Sequence, residues 1–277
     1  MRRARTRRLA VSIVAIAISV VVFLVPFAFI LMQAVKDASE SADLSFALPT
    51  KWVIWQNLVA VLTTNDSQVV RAFINSAVLT VTSVVLMVLI SAMVGYVLQR
   101  RRSRLNSIIN FFVLAGLIVP PAVVPTIWVL QGLQLFKTLP GMILIEATFG
   151  LSFCILLFRA FVASIPKELD EAAVIDGAGP IRLFVSVIMP LLRPVMVTVV
   201  VVQSVAVFND FTGPLYFLPG SDNATVQLTL YNFQSQALNQ YNLLFTDILL
   251  ITIPPLVLFG FFNRQIVAGM TSGAIKG

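Results

Sequence analysis

From Leu9 to Val35 the chain carries no charged side chain, and the same is true from Ala72 to Gln99. A helix needs roughly 20 predominantly apolar residues to cross a hydrocarbon core of about 30 Å, so each run is long enough to span a membrane. Composition extends that reading to the whole chain, because 58% of its residues are hydrophobic and 11% charged, against roughly 25% charged in soluble domains. The sequence describes an all-α integral membrane protein.

Four more spans follow by the same measure. One lies within 107–130, where Pro120, Pro121 and Pro125 must kink it or split it into shorter pieces. The others, at about 141–160, 192–210 and 243–263, each admit one acid near an end: Glu146, Asp210 and Asp247. Charge placement tests this count of six. With the N-terminus inside, the inner segments are 1–8, 99–106, 159–193 and 264–277, and they hold fifteen of the nineteen Lys and Arg. Only Lys36, Lys51, Arg71 and Lys137 fall outside, so the positive-inside rule predicts that both termini are cytoplasmic. The first apolar run exceeds the 7–15 residues of a signal-peptide core, which favours a retained span over a cleaved leader.

Several function classes drop out. The basic balance of +7 reads as topology signal rather than a nucleic-acid surface. The chain has no histidine and a single cysteine, Cys154, which removes the commonest general base and metal ligand and any internal disulfide. No Gly-x-x-x-x-Gly-Lys-Ser/Thr segment is present, so the chain holds no Walker-type ATP site of its own. A secondary transporter would need charges near mid-span in broken helices or inverted repeats, and a membrane enzyme would need clustered polar groups at one face. The mid-span positions lack charges, which leaves only the proline-broken third span in favour of a secondary transporter, and the acids are dispersed rather than clustered. The outer segments are 37–70, carrying Trp52 and Trp55 suited to a membrane interface, and 211–242, which has no Lys or Arg. No internal repeat or linker argues against a single transmembrane domain over 1–277.

Between the fourth and fifth spans lies the most acidic stretch, IPKELDEAAVIDGAGPIRLFVSVIMP, residues 165–190. Ser164 can cap a helix, Pro166 suits a first turn, and Glu168, Asp170 and Glu171 favour a helix N-terminus. That helix should run to about Asp176 and stop at Gly177 and Gly179. Pro180 restarts a helix in which Ile181, Phe184, Val185 and Ile188 form one apolar stripe, and Pro190 and Pro194 end it. Small Ala172 and Ala173 leave room for another surface. These signals alone also fit an ordinary well-capped loop.

The spacing is more specific. Glu171-Ala172-Ala173, three residues, Gly177, nine residues, then Val187-Ile188-Met189-Pro190 resembles the EAA motif of binding-protein-dependent ABC importer permeases, with Val187 and Met189 as conservative departures. The FNDF stretch at 208–211 and the tail RQIVAGMTSGAIKG are similar to the carbohydrate-type, MalG-like subgroup. The resemblance implies the type I importer permease fold. It also implies a second homologous permease subunit, two cytoplasmic ATPase subunits that bind the ATP and Mg, and an extracytoplasmic sugar-binding protein, with no cofactor on this chain. It makes 164–190 the coupling loop. There Glu171 would meet a basic residue of the ATPase, Ala172 and Ala173 would set the close approach, Gly177 would permit the turn, and Pro190 would close the motif.

Substrate contacts are less determined. Intramembrane acids tend to face a cavity or a partner, and amides and aromatics can hold sugar hydroxyls and ring faces. Asn209 and Asp210, in FNDF, lead the candidates; Asn75, Glu146, Tyr216 and Asp247 follow. Sugars, oligosaccharides, polyols and glycerol phosphates are all carried by similar-looking permeases, although the absence of Lys and Arg from 211–242 disfavours a phosphorylated solute. The tail from Arg264 is a further candidate ATPase contact.

Overall fold

The computed structural model describes the backbone of residues 2–236 and 240–274 and the side chains of 12–231 and 240–262. Every regular element among the described residues is helical. In chain order these are α1 (Arg2–Ala34), α2 (Ala38–Ala42), α3 (Ile54–Arg100), α4 (Arg104–Ile118), α5 (Val123–Gly132), α6 (Leu139–Val162), α7 (Glu168–Ile175), α8 (Pro180–Leu183), a π turn (Phe184–Ile188), α9 (Met189–Leu191), α10 (Arg193–Phe208), α11 (Thr212–Phe217), α12 (Val226–Gln236) and α13 (Tyr241–Ala274).

Among the described residues four helices are long and apolar enough to cross a membrane: Ser12–Ala34 of α1, α3, α6, and Tyr241–Phe262 of α13. A fifth is formed if Pro180–Leu191 and Arg193–Phe208, bent by 74°, count as one. The expected span within 107–130 is two short helices, α4 and α5, separated at the Pro120-Pro121 step, as a pair of residues that donate no backbone N–H requires. By contrast α13 contains Pro254 and Pro255 within its length. α1 shows why lipid is needed: no part of its apolar window is buried, and side chains such as Ile16 and Phe23 stand exposed all round. A helix apolar on every face and uncovered by protein needs an apolar solvent.

The chain divides into two compact units, Met1–Val70 with Thr229–Ile253, and Arg71–Leu228 with Pro254–Gly277. The first is knit by polar groups. Asn57, buried in α3, donates from Nδ2 to the carbonyls of Ala34 at 2.8 Å and Lys36 at 2.9 Å. Its Oδ1 accepts from Asn242 Nδ2 at 2.8 Å, and the Asn242 amide donates to Ser41 Oγ at 3.1 Å. Lys36 is buried with its Nζ on the Ser45 carbonyl at 2.6 Å. These bonds satisfy the carbonyls left over where α1 ends. Phe29 packs edge-on against Phe46 and Phe245 in the same unit. α3 breaks at Thr64–Ser67, where Asn65, Asp66 and Ser67 hold positive φ, so its continuous spanning part begins just ahead of the charge-free run read from sequence.

The second unit has the larger apolar core, in which α6 packs against α4, α10 and α11. Met87, Met142, Phe158, Ile188, Leu192 and Val199 lie at its centre. Backbones approach closely where α3 crosses α6: a Cβ on Gly95 would sit 2.9 Å from both Arg159 N and Phe158 Cβ. Small residues at such crossings let membrane helices gain dispersion contacts that lipid would otherwise supply.

Candidate functional site

The loop after α6 keeps some of the expected local signals and not others. Ser164 does not cap α7; its hydroxyl donates back to the Phe161 carbonyl at 2.7 Å, finishing α6. The N-cap of α7 is Lys167, which offers no side-chain acceptor, so the first turn relies on its acids Glu168, Asp170 and Glu171. The end of α7 matches the glycine signal. Gly177 has φ +78°, its N–H donates to the Val174 carbonyl at 3.0 Å, and Ala178 N–H donates to the Ala173 carbonyl at 2.9 Å. That bond pair is a Schellman stop. Gly179, at φ −67°, is not left-handed and instead leads into Pro180.

The second half of the loop departs further. α8 passes through the π turn into α9, so Leu183, Ile188 and Leu192 are buried while Ile181 and Val185 are exposed. The five-residue step from Leu183 to Ile188 is the π turn's own spacing, so of the expected stripe Ile188 and Phe184 reach the core while Ile181 and Val185 do not. Pro190 ends nothing: it sits in the first turn of α9, and the chain turns at Leu192 before Pro194 opens α10.

Two tethers hold the loop to the end of α3. Arg100 Nε lies 2.6 Å from Asp170 Oδ2, with both side chains largely buried at 9% and 16% exposure. The same guanidinium donates to the Ile165 carbonyl at 2.9 Å. Tyr96 stacks on Phe184 with centroids 5.6 Å apart. Asp170 looked like one of three equivalent first-turn acids in the sequence, and its partner is seventy positions away, beyond any local signal.

Glu171 and Ala172 are exposed, and among the described residues Glu171 makes no ion pair. Ala173 is different: it is buried in this chain's own core and is not available to set an approach from outside. The exposed apolar side chains of the loop are instead Val174 and Ile175 on α7 and Ile181 on α8, the last two 85% and 81% exposed. Sequence reasoning missed Ile175, although its position just before the Gly177 stop gave no reason for an isoleucine facing solvent.

The polar candidates separate into groups. Asp210 Oδ1 accepts from Thr212 N–H at 3.1 Å and Oδ2 from Gly213 N–H at 3.0 Å, satisfying the start of α11. Glu146 lies beside Asp210, with its Oε1 buried and unpartnered. Asn209 Oδ1 accepts from Gln227 Nε2 at 3.2 Å. The structure therefore gathers Glu146, Asn209 and Asp210 around the turn into α11. Tyr216 is exposed on that helix. Asn75 is committed elsewhere, donating to the Ala224 carbonyl at 3.1 Å. Asp247, in the first unit, accepts from Thr229 Oγ1 at 2.8 Å and is fully buried. Among the described residues no three His, Cys, Asp or Glu side chains come together as metal ligands would. For the tail from Arg264, the backbone continues in α13 to Ala274, while its side chains lie outside the described ones.

A family described as binding-protein-dependent transport system inner membrane component has a sequence model that matches residues 87–272. The diacetylchitobiose uptake system permease protein NgcG of Streptomyces coelicolor is 31% identical over 260 residues, 92% of this chain and 85% of its own. The melibiose/raffinose/stachyose import permease protein MelC of Bacillus subtilis is 28% identical over the full length of both chains. A crystal structure of a bacterial ABC transporter involved in the import of the acidic polysaccharide alginate has the same fold, with a TM-score of 0.81 at 19% identity over 95% of this chain and 98% of that one.

Proposed function

The chain belongs to the family of binding-protein-dependent transport system inner membrane components, and from that premise we propose that it is the permease subunit of an ATP-driven importer for a carbohydrate. The sugar-named permeases among its relatives support the substrate class. A solved alginate transporter in complex with an alginate pentasaccharide-bound periplasmic protein, which shares the fold at a TM-score of 0.66, makes delivery by an extracytoplasmic binding protein the natural partner. A second homologous permease and two ATPase subunits complete the assembly, and ATP and Mg are bound by the latter. The chain crosses a prokaryotic cell membrane six times as one transmembrane domain, with α4 and α5 forming an interrupted span and both termini in the cytoplasm.

The observation that carries the mechanism is the exposed face of α7. Glu171 and Ala172, with exposed Ile175 on the same helix, stand out from a loop that Arg100 and Tyr96 tie to the transmembrane core. A partner gripping that face would move the spans rather than deform the loop. Glu171 supplies a charge-assisted contact, Gly177 fixes the turn, and Pro190 sits in the short α9 that leads to the bend at Leu192 and on into α10. Ala173 contributes from inside, by letting α7 seat on the core. Solute passes near Glu146, Asn209 and Asp210, with Tyr216 and Asn75 at the margins of the path.

The test is to reconstitute the assembled importer with Glu171→Ala and, separately, Gly177→Asp. Uptake and binding-protein-stimulated ATPase activity should both fall sharply while assembly persists. Wild-type values for both variants would remove the coupling role from this loop.

A further inference from the structure

The arginine run after α3 does more than set topology. Arg101, Arg102 and Arg159 converge with Ser103, Asn106 and Asn110 on an open cavity of about 310 Å³ between the end of α3, the start of α4 and the end of α6. No acidic residue lines it. Among the described residues no carboxylate comes within ion-pair distance of these three arginines, whereas neighbouring Arg100 is neutralised by Asp170. Arg159 is directed by neutral acceptors alone, hydrogen bonding to Asn110 Oδ1 and, at 3.4 Å, to Gln99 Oε1. Ser103 already accepts the Asn106 N–H at 3.1 Å, and Asn106 Nδ2 donates to the Arg101 carbonyl at 2.7 Å, so the cavity's walls are fixed by bonds that leave the guanidinium charges uncompensated. Directly along α4 from the cavity, Leu105, Ile108, Phe111 and Phe112 are all exposed.

We propose that this cavity binds the phosphate of an anionic membrane lipid. Three guanidinium groups without a carboxylate partner suit a phosphodiester, whose oxygens accept paired N–H donors. A basic pocket between transmembrane helices near their ends is where such a headgroup is held. The exposed apolar flank of α4 favours a lipid over a soluble phosphate, because acyl chains have a surface to lie on once the headgroup is seated. The site rests on the reading of α3, α4 and α6 as membrane helices, and it is independent of which solute is imported.

The experiment measures lipid retention by the assembled transporter in detergent, by native mass spectrometry after titration with phosphatidylglycerol or phosphatidylcholine. Phosphatidylglycerol is retained in preference. Each arginine near a headgroup contributes about a fivefold gain in affinity, so Arg101→Gln with Arg102→Gln weakens retention about 25-fold. Asn110→Asp, isosteric and placed to pair with Arg159, weakens it as well without removing any arginine. Equal retention of the two lipids, or unchanged phosphatidylglycerol binding in both variants, overturns the proposal. Competition by inorganic phosphate as effective as by lipid would identify a soluble-anion site and also overturn it. So would loss of the ATPase subunits from the double variant with lipid retention intact, which would give the arginines to a protein partner. No arm reads transport, so failure here is distinct from failure of the importer assignment.

Discussion

Replacing Arg100 with Gln should loosen α7 without unfolding the spans. The substitution removes the 2.6 Å ion pair with Asp170 and the 2.9 Å bond to the Ile165 carbonyl. It leaves Asp170 with no cation, and its Oδ1 is already buried without a partner. A hydrogen bond to a charged group contributes about 1.5–3 kcal/mol, so the loss should be about 2–3 kcal/mol, or about 30- to 150-fold in the opening equilibrium of this segment. Hydrogen exchange of the transporter in nanodiscs reads that opening at amides that depend on α7, such as Asp176 N–H on the Ala172 carbonyl at 3.0 Å and Ala178 N–H on the Ala173 carbonyl at 2.9 Å. Exchange there should accelerate by that factor while the centre of α6 is unchanged. Asp170→Asn alone should have a smaller effect, and adding it to Arg100→Gln should restore part of the protection, since it removes the stranded charge. If exchange over 168–178 in Arg100→Gln stays within about threefold of wild type, or the two substitutions simply add, the tether does not hold the loop and the argument fails.

Three further outcomes are expected. Gly177→Ala should destabilise the turn by about 1–2 kcal/mol and Gly177→Asn by less, because the position is left-handed yet its Cβ would meet nothing within 4 Å; equal exchange at Ala178 in both variants would contradict this. Gly95→Val should lower the thermal midpoint by an amount corresponding to about 1–3 kcal/mol, since the added Cβ would press on the Arg159 and Phe158 backbone region at 2.9 Å; an unchanged midpoint would mean α3 and α6 are not so close. Asp37 should titrate below its ordinary 3.8, held down first by the Glu40 N–H and then by the Ser39 hydroxyl. Its support for α2 is therefore complete above that value and is lost as pH falls through the lower folded-state pKa; a carboxyl chemical-shift titration giving 3.8 or higher would refute the cap.

Much of the architecture was legible because burial in lipid demands runs of residues that no other environment tolerates. The helices over 9–35 and 141–160 needed only counting, and Gly177 was readable because few residues accept its φ. What escaped depends on partners far along the chain. Nothing near Asp170 points to Arg100, and nothing near Ala173 says that it faces inward while Ala172 faces out. The π turn was hidden for a related reason: the wider turn leaves composition untouched but shifts which side chains face the core, so Leu183 and Ile188, five residues apart, are buried while Val185 is exposed. Ser164 had suitable capping chemistry, but α7 begins one turn later, with Lys167 as its N-cap, while Gly179 was read as a stop and instead precedes α8. Of the polar candidates, proximity in the sequence put Asn209 with Asp210, and only the fold brought Glu146 beside them.

The bend at Leu192 has a mechanical consequence. With the axes of Pro180–Leu191 and Arg193–Phe208 inclined by 74°, a displacement along the first resolves to about a quarter along the second and nearly all of it across. The junction therefore acts as a bell crank. A push on the loop would tilt α10 sideways, swinging its far end, where Asn209 and Asp210 sit, through an arc instead of sliding it through the bilayer. Polar groups at that end would move across the axis of α10 and not along it.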